Sequence, residues 1–452
     1  MDRPLGWASL DDDGAGIRTP RGRSGRRVER PPSGCFRASV AIVAAVTVVG
    51  GAACGSDSGS SDTSAETTAP PAERGDAGRV PSVDTLRAIA AELRDACMAE
   101  GAVVGIRAAS GATSVETAGR LAPDAPIRAD SPYFAGSVTK LLVAAGALVL
   151  VERGRLELDD PVSAYLDWPR GDEITVEMLL AHRSGMGNFG NDFSDELRDL
   201  VLADLERVYS YDEVLELVAA VPPVAEPGSG YHYTNANYIV LGAIVQSITG
   251  TTLGDAMHEE IIEPLGLRDT FYGPDDLERL EATPYHGLFD VTGSGEPIDI
   301  GGFPRAAAFT IDPAGAGLVS TAPDTLVLLN ALFGTDELLT PSSRDFLVEH
   351  VGTITNEDVL VDGPFAVHGH GGASPGAQVM ATHDAVTGAS TVAWCNRLDP
   401  GEQEFLPTVL ATRAIYRALD DGAPATTGRG IPPTPRLTMG KQESRHATWT
   451  VL

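Results

Sequence analysis

The sequence predicts an α/β fold in which a sheet is flanked by helices from the two ends of the chain, with a mainly helical lobe inserted between its strands. Three observations predict it. Apolar residues recur at helical spacing over 83–99, with Gly101 placed to cap the run, and a strand-like stretch, Ala102-Val-Val-Gly-Ile-Arg-Ala-Ala, follows at once, with a loop leading from it to a helix at Ser137. Residues 156–285 read mostly as helices and loops, with clear helical patterns at 176–180, 212–220 and 236–248. Strand-like segments return at 317–320, 365–368, 378–383 and 390–396, before an amphipathic helix over 403–419. Strands from both ends and helices from the middle imply a sheet covered by the terminal helices.

The 452 residues divide into four stretches. Residues 1–54 read as a targeting segment: arginines as far as Arg37 precede an uncharged, Val- and Ala-rich run over 38–53 that is too short to span a bilayer comfortably. Its end, Ala52-Ala53-Cys54, resembles a bacterial lipoprotein signal, in which the cysteine carries the lipid. Gly51 stands where that signal prefers a larger aliphatic residue, so simple cleavage and an uncleaved anchor both stay open. Residues 55–80 have the Gly, Ser, Thr, Ala and Pro content of a flexible tether, 81–420 form the body, and 421–452 read as a disordered tail. The expectation is a body exported to the outer face of the cytoplasmic membrane and held there only through Cys54, or secreted.

Formal charge narrows the partners. The chain carries −30, and its first 53 residues hold eight Arg against five acids, so the remainder carries about −33. A body so acidic repels nucleic acid and anionic headgroups, which leaves a soluble enzyme or a binder of small, weakly charged ligands. The same acidity also serves solubility alone.

The stretch around which the chain is organised is Ser137-Val138-Thr139-Lys140. Of 33 basic residues only Lys140 and Lys441 are lysines, and an arginine could not replace the first. A guanidinium stays charged, whereas an amine in an apolar pocket can lose its proton and act as a base. Residues 141–151 are nearly all apolar and predict a buried helix with Ser137 in its first turn. Positions i and i+3 share a helical face, so hydroxyl and amine would lie side by side, near amides that favour an oxyanion. Alone, the spacing also arises by chance, and it needs partners.

Two further stretches supply them. Pro227-Gly-Ser-Gly-Tyr-His-Tyr233-Thr-Asn235 makes a loop, with a helix predicted after Asn235. There a phenol and an amide two residues apart can reach one point as proton shuttle and hydrogen-bond partner. Tyr231 rivals Tyr233, but no Asn follows it at that spacing. His368-Gly-His370-Gly371-Gly372-Ala373-Ser374 places glycines where a strand edge can be approached closely. Metal binding by His368 and His370 lacks a third ligand at a telling spacing. Gly372-Ala-Ser374-Pro-Gly376 fits the Gly-x-Ser-x-Gly elbow, in which the residue after the serine donates its N–H to an oxyanion; that residue is Pro375, which has none.

Together these stretches resemble the serine β-lactamase-like family, in its branch of class C β-lactamases, D-alanyl-D-alanine carboxypeptidases and esterases. The order Ser-x-x-Lys, Tyr-x-Asn, His/Lys-x-Gly fits, as do Leu179-Leu-Ala-His-Arg-Ser-Gly-Met, Pro264-Leu-Gly-Leu and Pro313-Ala-Gly-Ala-Gly-Leu-Val-Ser-Thr, and the likeness runs over 83–419. It implies a β-lactamase/transpeptidase-like α/β fold, with an antiparallel sheet flanked by the terminal helices and a mainly helical lobe inserted. It also implies Ser137 as acylated nucleophile, Lys140 as its base, Tyr233 as proton shuttle to the leaving group and Asn235 as a holder of substrate and Lys140. His370 takes the place of the third-motif basic residue, followed by Gly371 and Gly372, and the N–H groups of Ser137 and Ala373 would form the oxyanion hole. His182 and Ser184 match a recurrent phrase and are read as structural.

Many β-lactamases carry lysine where this chain has His370, so the departure favours a carboxypeptidase or esterase over efficient β-lactam hydrolysis. The function expected is a serine hydrolase working through an acyl-enzyme on a D-amino-acid peptide or ester, with peptidoglycan stem peptides and β-lactams among the candidate ligands. The alternatives are a weak β-lactamase or a silent binder of cell-wall peptide or penicillin, against which the retained Ser137, Lys140 and Tyr233 argue. No cofactor or metal is implied, and the chain is read as a monomer. Once Cys35 and Cys54 leave with the signal and the lipid, Cys97 and Cys395 are the thiols that remain. In the family the terminal helices pack over the sheet containing the late strand, which makes a Cys97–Cys395 bridge a candidate; two buried free thiols are the alternative.

Overall fold

The computed structural model describes residues 78–190, 195–290, 296–352, 354–361, 365–398 and 405–420, with two paired three-residue strands, Leu437–Met439 and Trp449–Val451. The targeting segment, the tether apart from its last three residues, Cys54 and the rest of the tail lie outside the described residues.

In chain order, the elements that build the site are helix α1 (Val83–Ala96), strands β1 (Gly101–Arg107), β2 (Thr113–Ala122) and β3 (Ala125–Pro126), and helices α2 (Thr139–Glu152), α3 (Asn235–Thr249), α4 (Pro313–Ala316) and α5 (Ala322–Leu329). Strands β4 (Val367–Ser374), β5 (Ala377–Asp384) and β6 (Ala389–Cys395) and helix α6 (Leu406–Asp420) complete them. The main sheet runs β3-β2-β1-β6-β5-β4, and every neighbouring pair is antiparallel. The first and last parts of the body thus meet at its centre, where Val104 pairs Ala393.

Side-chain alternation decides what covers each face. Ala102, Val104 and Ile106 of β1 join Ala389, Ala393 and Cys395 of β6 under Leu86, Leu93, Ala411 and Ile415 of the terminal helices. Val103, Val392 and Trp394 point the other way, into a larger core shared with Leu326 and Leu329 of α5 and with the helical lobe. Cys97, the C-cap of α1, is bonded to Cys395 by a disulfide across 298 residues of chain.

Three expectations need correction. The first helix ends at Ala96 rather than Ala99; Met98 turns through φ +51°, and Gly101 starts β1 instead of capping the helix. A Cβ on Gly101 would meet the Arg120 carbonyl at 2.3 Å, so the glycine serves β-pairing. Residues 113–122, read as part of a loop, form β2, whose largely polar and half-exposed side chains carry none of the apolar alternation of a core strand. Ser137 lies on the 3₁₀ turn Gly136–Val138 just before α2, not within that helix.

Candidate active site

Helix α2 fixes the lysine. Every residue from Thr139 to Leu150 is buried, Lys140 in the first turn included. Its Nζ lies 2.9 Å from Ser137 Oγ and donates to the Gly315 carbonyl at 3.0 Å. Burial destabilises the ammonium and the negative Asp312 partly restores it, leaving Lys140 lowered to about 8. A minority of the amine is therefore neutral near physiological pH, far more than for an ordinary lysine, and a neutral amine turns the 2.9 Å contact around, accepting the serine's proton.

The Tyr233 loop closes the other side. Tyr233 donates from Oη to Ser137 Oγ at 2.9 Å, and burial pushes its phenol well above the ordinary value, so it stays protonated and is a donor rather than a phenolate base. Beneath it the His182 ring packs at 4.3 Å between centroids. His182 Nδ1 takes N–H groups from Thr234 at 3.3 Å and Asn237 at 3.0 Å, which makes Nδ1 the unprotonated nitrogen. Ser184 donates to Asn237 Oδ1 at 2.6 Å and accepts from the Met186 amide. These contacts hold the loop that carries Tyr233, which is the structural use expected of His182 and Ser184.

Thr234 caps α3, which begins at Asn235 itself rather than after it. The Asn235 amide donates from Nδ2 to Asp312 Oδ2 at 2.7 Å. Asp312 is the residue that sequence reasoning missed. It caps α4 by accepting the Gly315 N–H at 3.1 Å, and burial raises its carboxyl to about 6 against the pull of Lys140, Gly315 and Asn235. The sequence signal was slight: an Asp before Pro-x-Gly reads as an ordinary helix cap.

Strand β4 is an edge of the sheet and presents its backbone to the serine turn. Gly136 sits at φ +51°, and a Cβ there would lie 2.6 Å from Ala373 N; a Cβ on Gly372 would meet the Ala135 carbonyl at 2.0 Å. Only glycines allow that approach, which sets the Ala373 amide beside the Ser137 turn, as an oxyanion hole requires. His370 is buried, with Nδ1 2.5 Å from the Gly371 carbonyl; a carbonyl only accepts, so Nδ1 carries the proton. Burial first and Lys140 second lower His370 to about 4, so it is uncharged at neutral pH. Gly371 and Gly372 complete the strand between His370 and Ala373. His368 is on the same strand, across from His383, and among the described residues no group of three metal-ligating side chains forms.

Ser137, Lys140, Tyr233, Asn235, His370 and the Ala373 backbone therefore converge from three separate parts of the chain. Ser374 does not join them: its side chain is 2% exposed and its Oγ has no hydrogen-bond partner.

A sequence model of the family described as Beta-lactamase matches residues 86–412. The chain is similar to Esterase EstB of Burkholderia gladioli, 34% identical over 184 residues, which are 38% of this chain and 45% of that protein. It is also similar to a putative D-alanyl-D-alanine carboxypeptidase of Escherichia coli K12, 39% identical over 69 residues, 15% of this chain and 16% of the other. Each match spans less than half the length of the relative. Among solved structures, D-amino acid amidase from Ochrobactrum anthropi SV3 superposes with a TM-score of 0.64 at 22% identity, covering 75% of this chain and 98% of the amidase. A penicillin binding protein from Bacillus halodurans gives 0.57 at 21%, covering 72% and 98%. At these identities the structural likeness is one of fold, and it is the α/β sheet-and-lobe fold that the sequence predicts.

Proposed function

Because the chain belongs to the β-lactamase family, whose sequence model spans residues 86–412, we propose that it is a serine hydrolase acting through an acyl-enzyme on a D-amino-acid peptide or ester. The observation that carries this reading is Ser137 Oγ held at 2.9 Å by both Lys140 Nζ and Tyr233 Oη. Neutral Lys140 takes the hydroxyl proton as Oγ attacks the substrate carbonyl. The oxyanion that forms faces the amides of Ser137 and Ala373. Collapse expels the leaving group, which takes a proton through Tyr233, and water then attacks the Ser137 ester to release the acid.

His370 shapes the choice of substrate. An uncharged imidazole cannot grip a substrate carboxylate as a permanent cation does, which weakens the case for efficient β-lactam hydrolysis and favours esters, which need carry no free carboxylate. The similarity to an esterase supports that preference, and the similarity to a putative carboxypeptidase keeps peptides within the proposed range. The test is to incubate the protein with nitrophenyl esters, D-alanyl-D-alanine peptides, a fluorescent penicillin and a fluorophosphonate, then to locate adducts by mass. An adduct on Ser137 and turnover of an ester or peptide are expected; adducts only on another residue would overturn the reading.

The proposed place of action is outside the cytoplasmic membrane, with Cys54 as lipid anchor. The Cys97–Cys395 bridge supports an oxidising compartment. Detergent-phase partitioning is expected to be lost in Cys54→Ala, and its persistence would point to an uncleaved anchor.

A further inference from the structure

Asp312 is a buried carboxylate that acylation does not consume, yet its two oxygens reach both halves of the machinery. Oδ1 accepts the Gly315 N–H at 3.1 Å and so closes the turn whose own Gly315 carbonyl receives Lys140 Nζ at 3.0 Å. Oδ2 accepts from Asn235 Nδ2 at 2.7 Å, which turns the amide so that its carbonyl end faces away from the acid. The turn is anchored in place as well. The Leu318 amide donates to Thr139 Oγ1 at 3.0 Å, Ala135 N–H donates to the Leu318 carbonyl at 2.9 Å, and Tyr272 Oη donates to the Pro313 carbonyl. Asp312 cannot swing away from the lysine without breaking these contacts.

We infer that Asp312 is a positioning residue for acylation of Ser137: it fixes Gly315 and Asn235 and, as a buried negative charge near Lys140, sets the pH at which that lysine becomes the base. This rests on the serine-hydrolase reading of the same site. A negative charge in a low-dielectric interior favours ammonium over amine, while desolvation favours the amine. Both act on Lys140, burial lowering it and Asp312 raising it, with about 8 as the result.

The other groups around the pair do not duplicate that charge. The rings of Tyr233 and Tyr238 lie 5.1 and 5.8 Å from Nζ, and burial pushes both phenols up. His182 and His370 are held neutral by burial and by the lysine itself. On the Asp312 side stand Tyr211 and Tyr272, also pushed up, with Asp275 acting on both of them. The tyrosines and histidines are thus uncharged at neutral pH, and of the acids it is Asp312 that acts on Lys140.

The sign follows from the charge. Without Asp312 the ammonium loses its stabilisation, the lysine's pKa falls, and the rise of acylation with pH begins earlier. A purely structural role would instead lower the rate at every pH and leave the midpoint of that rise where it was.

The experiment compares the full chain with Asp312→Asn, Asp312→Ser and Asp312→Glu. The rate of Ser137 phosphonylation by a fluorophosphonate is followed from about pH 5.5 to about pH 9.5, with each adduct located by mass. In Asp312→Asn and Asp312→Ser the midpoint should fall by about one unit or more, so that the fraction of the plateau rate reached near pH 6.5 rises about tenfold. Serine keeps the cap on Gly315 without the charge, which gives a second uncharged variant should asparagine not fold. Asp312→Glu should hold the midpoint near that of the wild type, and thermal melting reports folding in each case. An unmoved midpoint in a folded uncharged variant, with Ser137 still labelled, overturns the role of Asp312 alone. Absence of labelling at Ser137 in the wild type at every pH overturns this role and the hydrolase reading together.

Discussion

Ser137 and Ser374 stand on two backbone segments that press together, and each sits in a local sequence that serine hydrolases use, yet only one is equipped to react. Ser137 is half-buried and receives Lys140 Nζ and Tyr233 Oη at 2.9 Å each. Ser374, one residue beyond Ala373, is shut inside the fold with an Oγ that meets no hydrogen-bond partner. A hydroxyl with an ordinary alkoxide pKa becomes a nucleophile only when a neighbour can take its proton, so the base and the shuttle define the site and the spacing of residues around a serine does not. Glycines serve both segments, but for different ends. Gly136 and Gly372 let the Ser137 turn and β4 approach each other, whereas Gly376, at φ +72°, turns the chain from β4 into β5.

The contrast can be broken most severely at Ser137. Ser137→Ala should lower turnover and labelling by about 10⁴-fold or more while the melting temperature stays close to that of the wild type, because the side chain removed is half-exposed. Labelling that survived on any other serine would erase the contrast. Next comes Lys140→Arg, which keeps a charge at the position but removes the titratable amine. The loss expected is about 100-fold or more in acylation rate, and a rate above about a tenth of wild type would contradict the base role. Tyr233→Phe retains the ring stacked on His182 and deletes only the donor to Ser137, so a loss of about 10- to 100-fold is expected, with substrate esters of poor leaving groups hit hardest. Equal losses for good and poor leaving groups would remove Tyr233 from the shuttle role.

The parts of the site that were legible in the sequence are those whose chemistry is rare in this chain. Lys140 stands out because lysine is almost absent, Tyr233 and Asn235 because they follow a Gly/Pro loop, and His370 to Ala373 because glycines interrupt a strand. Asp312 did not stand out. One acid among 63, placed before a proline, gives no hint that its side chain will be buried between Asn235 and Gly315, since that proximity is created by the packing of α4 against α2 and α3. The fold shows the same division. Strands β1, β5 and β6 are buried on both sides and wrote apolar runs into the sequence, whereas β2, with its outer part half-exposed, wrote none and was read as a loop. The end of α1 was misplaced because the apolar pattern continues past Ala96 into the turn that carries Cys97, which is buried for the sake of its partner on β6.

The smallest effect is expected at Ser374, where it tests the comparison most cleanly. Ser374→Ala removes one oxygen and leaves the backbone of β4, and with it the Ala373 amide, in its register opposite Ala377 and Gln378. Acylation of Ser137 should therefore stay within a few-fold of wild type. Stability carries a second sign. A buried hydroxyl without a partner is a cost to the folded state, on the order of 1–3 kcal/mol for a fully unmet group, so its removal should leave the melting temperature unchanged or raise it. A folded Ser374→Ala protein that lost labelling would mean that the hydroxyl acts in the chemistry after all. One that labelled normally but melted well below the wild type would mean that Oγ holds a structural contact, and the two serines would then differ in role rather than in whether they have one.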